Sequence, residues 1–142
     1  MNSAKVTVTV PTKDRPIALS WLLSSLCNQT LENFEVIIAL NSDNSWDIHL
    51  DKLLYALNHR NVKTKVLDCI WYSFSELHQR MVSESNTDFV CRLDDDHVPE
   101  SIYLENLLKF IELNPEIWAV WWIIQLKRKR IFTYDITIKR TS

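Results

Sequence analysis

Asp88-Phe89-Val90-Cys91-Arg92-Leu93-Asp94-Asp95-Asp96 is the stretch on which the fold turns. Its first six residues are mainly apolar, short enough for a buried strand, and they run directly into three adjacent carboxylates. Pro99 follows, and then Ile102, Leu107, Leu108 and Ile111 recur at helical spacing. The segment therefore predicts a strand over 88–93, an acidic turn, and a helix opened by Pro99, where a missing N–H costs nothing.

The same grammar repeats on the N-terminal side. Val6, Val8 and Val10 alternate with threonines as a strand that Pro11 ends. After the loop Thr12–Arg15, Pro16 opens a helix carrying Leu19, Leu22, Leu23 and Leu26. Phe34–Leu40 is apolar apart from Glu35, as in a strand buried on both faces. Ile48–Leu57 predicts a second helix, Val62–Val66 a third strand and Phe74–Val82 a third helix. Downstream, Trp118–Leu126 predicts another buried strand, and Ile131–Lys139 alternates as a terminal strand or hairpin arm. The order βαβαβαβαβ, with a terminal strand, specifies an α/β fold: a mainly parallel sheet flanked by helices. Ligands of such sheets bind beyond the carboxyl ends of the strands. The loops Thr12–Arg15, Asn41–Ser45 and Asp94–His97 all fall there.

Three neighbouring carboxylates repel one another unless a cation or strong donors compensate. Oxygen ligands suit a hard ion, Mg²⁺ or Mn²⁺, which binds through one or two carboxylates plus substrate phosphates. The competing reading is that Asp96 or His97 merely caps the helix after Pro99, or that the acids form a solvated turn. His97 is either a further metal ligand or an ordinary polar loop residue.

Composition agrees with a one-domain globular chain of 142 residues, 46% hydrophobic and 24% charged. A net charge of −2 gives no argument for nucleic acid. Charge is nevertheless uneven: residues 127–142 carry +5 and the preceding 126 carry −7. Cys27, Cys69 and Cys91 form no CxxC and read as reduced thiols of a cytosolic protein. No signal-peptide pattern opens the chain, and no apolar run reaches the roughly 18 residues of a membrane span. The expected location is cytoplasmic, with peripheral contact at the inner membrane face through the basic tail.

Combined, these segments resemble family 2 glycosyltransferases. Val6–Pro16, with Pro11-Thr12-Lys13-Asp14-Arg15-Pro16, is similar to the family's opening strand and loop. Ser24-Ser25-Leu26-Cys27-Asn28-Gln29-Thr30 is similar to the end of its first helix, and Asn33–Ile38 to its second strand. Asp88–Asp96 is similar to the strand that carries the DxD motif, and Pro99–Asn114 to the helix after it. The resemblance covers roughly residues 5–125. It implies a GT-A fold, a nucleoside diphosphate sugar as donor, a saccharide or other hydroxyl acceptor, an inverting reaction and a Mg²⁺ or Mn²⁺ ion. It places Asp94 on the ribose or nucleotide side and Asp96 on the metal; the acidic turn itself offers Asp94 and His97 as further candidate ligands. Thr12, Asp14 and Arg15 would lie near the base, and Asp95 would belong to the donor site.

Two departures stand out. The family's second strand usually ends in acids that contact the nucleoside; here Ala39-Leu40-Asn41 stands there, leaving Asn41 and Asp43 for that contact. The family's catalytic base lies well beyond the DxD motif, whereas this chain ends 46 residues after Asp96 and its one acid beyond Glu116 is Asp135. The resemblance thus describes a donor-binding half, as in a truncated transferase: residues 1–126 a partial GT-A domain, residues 127–142 a basic tail or strand.

Glycine is absent where about ten would be expected, and tryptophan occurs six times. Trp46, Trp71, Trp118, Trp121 and Trp122 fall where a turn or close approach favours glycine. Either some are glycine codons read as tryptophan, which the codons would show, or the tryptophans are genuine and form a tryptophan-rich core or an aromatic surface.

Two rival functions fit less of the chain. A nucleotidyltransferase would carry a Gly-rich basic phosphate loop, which Pro11–Pro16 does not supply. A non-catalytic module binding a membrane or partner subunit would use Trp118–Ile124 and Lys127–Arg130; the same residues also read as a buried strand and a solvated charge run.

Overall fold

A computed structural model describes residues 3–116 throughout and residues 119–122 and 135–139 as backbone strands. The elements are β1 (Val6–Thr12), α1 (Pro16–Cys27), β2 (Phe34–Leu40), α2 (Ile48–His59), β3 (Lys63–Asp68), α3 (Phe74–Glu84), β4 (Phe89–Arg92), α4 (Tyr103–Leu113), β5 (Ala119–Trp122) and β6 (Asp135–Lys139). They form one six-stranded sheet in the order β3-β2-β1-β4-β6-β5. β1, β2, β3 and β4 pair in parallel, as the alternation requires, and β6 runs antiparallel between β4 and β5.

The period of two assigns each strand residue to a face. Val6, Val8, Val10, Val36 and Ile38 are fully buried on one face, against Leu19, Leu22, Leu23 and Leu26 of α1, Leu50 and Leu57 of α2, and Leu104, Leu107 and Leu108 of α4. On the opposite face, Ile37, Ala39, Leu67 and Cys69 pack with Leu77 and Met81 of α3. Beyond α3 that face turns polar. The Thr7 hydroxyl meets Glu35 Oε1 at 2.5 Å, Ser85 at 2.7 Å and Thr87 at 2.6 Å, all buried. These bonds fasten the α3–β4 connection to β1 and β2.

Two local expectations change. Pro11 does not end β1, which continues to Thr12. Thr9 O accepts from Leu93 N, so residues 9 and 11 direct their backbone groups toward β4, and β4 pairs only as far as Thr9. The missing N–H of Pro11 therefore falls where the ladder has already stopped. Pro99 does not open α4, which starts at Tyr103 after a turn. Gln29, 1% exposed, donates to Glu100 O at 2.8 Å and accepts from Leu104 N at 3.1 Å, joining the end of α1 to the start of α4. β5 is described over Ala119–Trp122; Trp118 and residues 123–126 of the expected strand lie outside the described residues.

Among the described residues, positive φ occurs at Asp14 and Asn61 and at none of the tryptophans. Trp21 and Trp71 are exposed, and Trp46 donates from Nε1 to Asp51 at 3.0 Å. Trp118 lies outside the described residues. Among the described residues no helix is long and apolar enough to cross a membrane.

Candidate donor and metal site

Parallel pairing sets the carboxyl ends of β1, β2 and β4 side by side, and a cleft of about 370 Å³ opens there. Pro11, Thr12, Lys13 and Arg15 line it from β1 and its loop, Asn41 from β2, Phe74 and Leu77 from α3, and Arg92 with Asp94–Asp96 from β4 and its turn. Of the sequence-derived candidates, Thr12, Arg15, Asn41, Asp94, Asp95 and Asp96 thus share one cavity. Asp14, Asp43 and His97 are not among its lining residues.

The three carboxylates have different partners. Asp95, 5% exposed, accepts from Thr12 Oγ1 at 2.9 Å and from Arg15 at 3.2 Å. Asp94 accepts from Arg92 at 2.7 Å. Asp96 is exposed, with Arg15 3.6 Å away. None caps a helix, because α4 begins at Tyr103 with Ile102 as its N-cap residue and no side-chain cap. The capping reading of Asp96 and His97 is therefore overturned. Lys13, Arg15 and Arg92 balance Asp94, Asp95 and Asp96, so the lining is formally neutral.

One ligand atom each from Asp94, Asp96 and His97 lies within 4.8 Å of the others. An ion with oxygen ligands at about 2.1 Å holds two of them no more than about 4.2 Å apart, so closure by under an ångström suffices. One half-buried and one exposed carboxylate on the cleft wall suit Mg²⁺ or Mn²⁺, which retain waters and phosphate oxygens.

The β1–α1 and β2–α2 loops lock together beside the cleft. Asp14 adopts φ 55°, which an aspartate tolerates better than most residues. Its N–H donates to Ser45 Oγ at 3.1 Å, and its carboxylate accepts from the Ser42 hydroxyl. Asp43 is exposed on the second loop. Asn41 donates through its amide to Cys69 O at 2.7 Å and Tyr72 O at 3.1 Å, while its N–H reaches Thr12 O. Both amide hydrogens are used, so the side chain has only its carbonyl to offer a ligand.

Sequence reading missed the opposite wall. The Arg92 guanidinium lies 5.0 Å over the Phe74 ring, and that ring meets His78 edge-on at 4.3 Å. Burial holds the His78 imidazole below its ordinary value; Arg92 adds to this and Asp94 opposes it. The signal for Arg92 was present: a cation in an apolar strand, on the face opposite Cys91 and Leu93. Asp135 begins β6, which runs antiparallel to β4, so it stands at the same edge of the sheet as the acidic turn.

The model of the family described as glycosyl transferase family 2 matches residues 7–140. No curated protein matches the chain. Among solved structures, the mannosyltransferase PcManGT from Pyrobaculum calidifontis, in complex with GDP-Man and Mn²⁺, is similar with TM-score 0.77 and 17% identity, over 99% of this chain and 46% of that one. S. aureus TarS 1-349, in complex with UDP-GlcNAc, is similar with TM-score 0.71 and 20% identity, over 89% and 36%. A CMP:2-keto-3-deoxy-manno-octonic acid synthetase complexed with CTP gives TM-score 0.56 and 11% identity, over 96% and 74%. The chain spans less than half the length of the first two, and at these identities the likeness is one of fold.

Proposed function

The chain belongs to glycosyl transferase family 2, and from that premise we propose that it binds a nucleoside diphosphate sugar in the cleft at Asp94–Asp96 and passes the sugar, with inversion, to a hydroxyl of a saccharide acceptor. The observation that carries this reading is the formally neutral cleft that unites the acidic turn with Thr12, Arg15 and Asn41. A donor diphosphate brings about two negative charges, which a divalent ion on Asp96 and Asp94 would neutralise while stabilising the leaving group. The solved relatives are in complex with GDP-Man and Mn²⁺ or with UDP-GlcNAc, which supports the same ligand class here.

The residues divide the work. Asp95, held by Thr12, anchors Arg15 at the cleft, where its guanidinium can meet the diphosphate. Asn41 presents its carbonyl toward the nucleoside, and Asp14 and Asp43 shape the rim beside the base. Inversion requires a carboxylate to take the acceptor proton as the hydroxyl attacks the anomeric carbon. Asp135 is this chain's candidate, because β6 starts at the edge where the acidic turn lies. Residues 1–126 make up the donor-binding unit, and β6 completes its sheet. Peripheral contact with an anionic inner-membrane face would fall to Lys127–Arg130, outside the described residues.

A nucleotidyltransferase is the alternative, since such enzymes also use a parallel α/β sheet and the synthetase complexed with CTP has a similar fold. It lacks support at the site, where Pro11–Pro16 offers no glycine-rich phosphate loop. The test is release of nucleoside diphosphate from a panel of donors, with Mn²⁺ and simple saccharides present. Release that Asp96→Asn abolishes supports the reading, and pyrophosphate release from a nucleoside triphosphate and a free sugar would replace it.

A further inference from the structure

We propose that His97 is a positioning residue of the acidic turn and not a ligand of its ion. Two hydrogen bonds close the four residues Asp94–His97 on themselves. His97 N–H donates to Asp94 O at 3.0 Å, and Asp94 N–H donates to His97 Nδ1 at 3.1 Å. The second bond fixes the ring chemistry. A neutral imidazole carries one nitrogen lone pair and one N–H, so a ring accepting at Nδ1 holds its proton on Nε2. The lone pair a metal would need is engaged by the Asp94 backbone. Coordination through the ring would require breaking that bond or stripping Nε2.

The bond also has a constructive consequence. It satisfies a part-buried N–H, which is costly to leave without a partner, and it fixes the Asp94 backbone. The Asp94 carboxylate is then held by Arg92 at 2.7 Å, within ligand range of Asp96. His97 thus acts on the ion through Asp94, as groups behind metal ligands commonly do. Proximity alone would group it with the two aspartates as a third ligand; the direction of the hydrogen bond separates them.

The effect on metal affinity rests on the site proposed above, whereas the state of the ring does not, and the experiment reads the two separately. Long-range ¹H–¹⁵N correlation spectra of the ¹⁵N-labelled chain at neutral pH report both ring nitrogens of His97. The expected pattern is an unprotonated Nδ1 and a protonated Nε2, unchanged when Mg²⁺ is added. A protonated Nδ1, or a ring nitrogen that shifts on Mg²⁺ binding, overturns the proposal.

Titration with Mn²⁺ then compares side chains. Asparagine can place an acceptor where Nδ1 stands, and glutamine places its amide nearer Nε2. His97→Asn should keep Mn²⁺ affinity within about threefold, whereas His97→Gln and His97→Ala should lose about tenfold or more. Retention by glutamine with loss by asparagine overturns the positioning role. Mn²⁺ binding that ignores Asp96→Ala would sink the metal site instead, leaving the spectra to decide the ring.

Discussion

The Thr12 hydroxyl donates to Asp95 Oδ2 over 2.9 Å, binding the last residue of β1 to the middle of a turn 83 residues later. Asp95 is buried, so this bond is shielded from water and the acidic turn is anchored to the sheet. Replacing Thr12 with valine keeps the shape and removes the donor. The cost should be about 1–3 kcal/mol in urea unfolding. Thr12→Ser should recover most of it.

Asp95 and Asp96 are adjacent, yet they should behave oppositely. Asp95→Ala strips partners from Thr12 and Arg15 and should destabilise the chain by about 1–3 kcal/mol. Asp96→Ala changes an exposed carboxylate and should alter stability by no more than about 0.5 kcal/mol, while removing metal binding. Paired melts and Mn²⁺ titrations check both; equal destabilisation would contradict the assigned division.

Asn41→Asp would restore the acid usual in the family at the end of β2, and here it should do harm. A carboxylate cannot donate to the carbonyls of Cys69 and Tyr72, which now accept from the amide. Loosening of the β3–α3 loop should appear as about 1–3 kcal/mol of lost stability and as faster amide exchange over residues 69–73. Unchanged exchange would count against the lock.

Stability should depend on His78. Burial, then Arg92, holds its imidazole below the ordinary 6.5, against the pull of Asp94. The folded chain binds this proton less readily than the unfolded chain does. The contribution is therefore fully present above about pH 6.5, the unfolded value, and is lost as pH falls from there through the lower folded value. In urea melts between about pH 7.5 and pH 5, His78→Gln should flatten the acid-side decline. An identical slope would show that other groups carry it.

The parts of the fold legible in the sequence are those where periodicity acts locally. Val6, Val8 and Val10 announced β1, and the leucines of α1 announced their helix, because burial alone dictates those patterns. Pro11 and Pro99 misled for the opposite reason: whether a proline interrupts depends on where neighbouring ladders stop and on what Gln29 reaches, both tertiary facts. β6 was visible as alternation, but its insertion between β4 and β5 could not be read from chain order. At the site, three loops at the strand ends predicted the cleft. The sequence did not reveal that Asp95 turns inward to Thr12 or that Arg92 stacks over Phe74, since those depend on faces brought together by the sheet. The Asn41 departure was legible as a missing acid; its reason, the Cys69 and Tyr72 carbonyls that accept from the amide, lies in the tertiary packing of the β3–α3 loop.

Asp96, with Asp94, is proposed to hold a divalent ion for a donor diphosphate at the carboxyl edge of the parallel strands. Isothermal titration of the chain with UDP and with GDP, with Mn²⁺ and with EDTA, tests it most directly. Binding of at least one nucleotide should require Mn²⁺ and weaken about tenfold or more in Asp96→Asn. Equal binding in EDTA, or in Asp96→Asn, would contradict it.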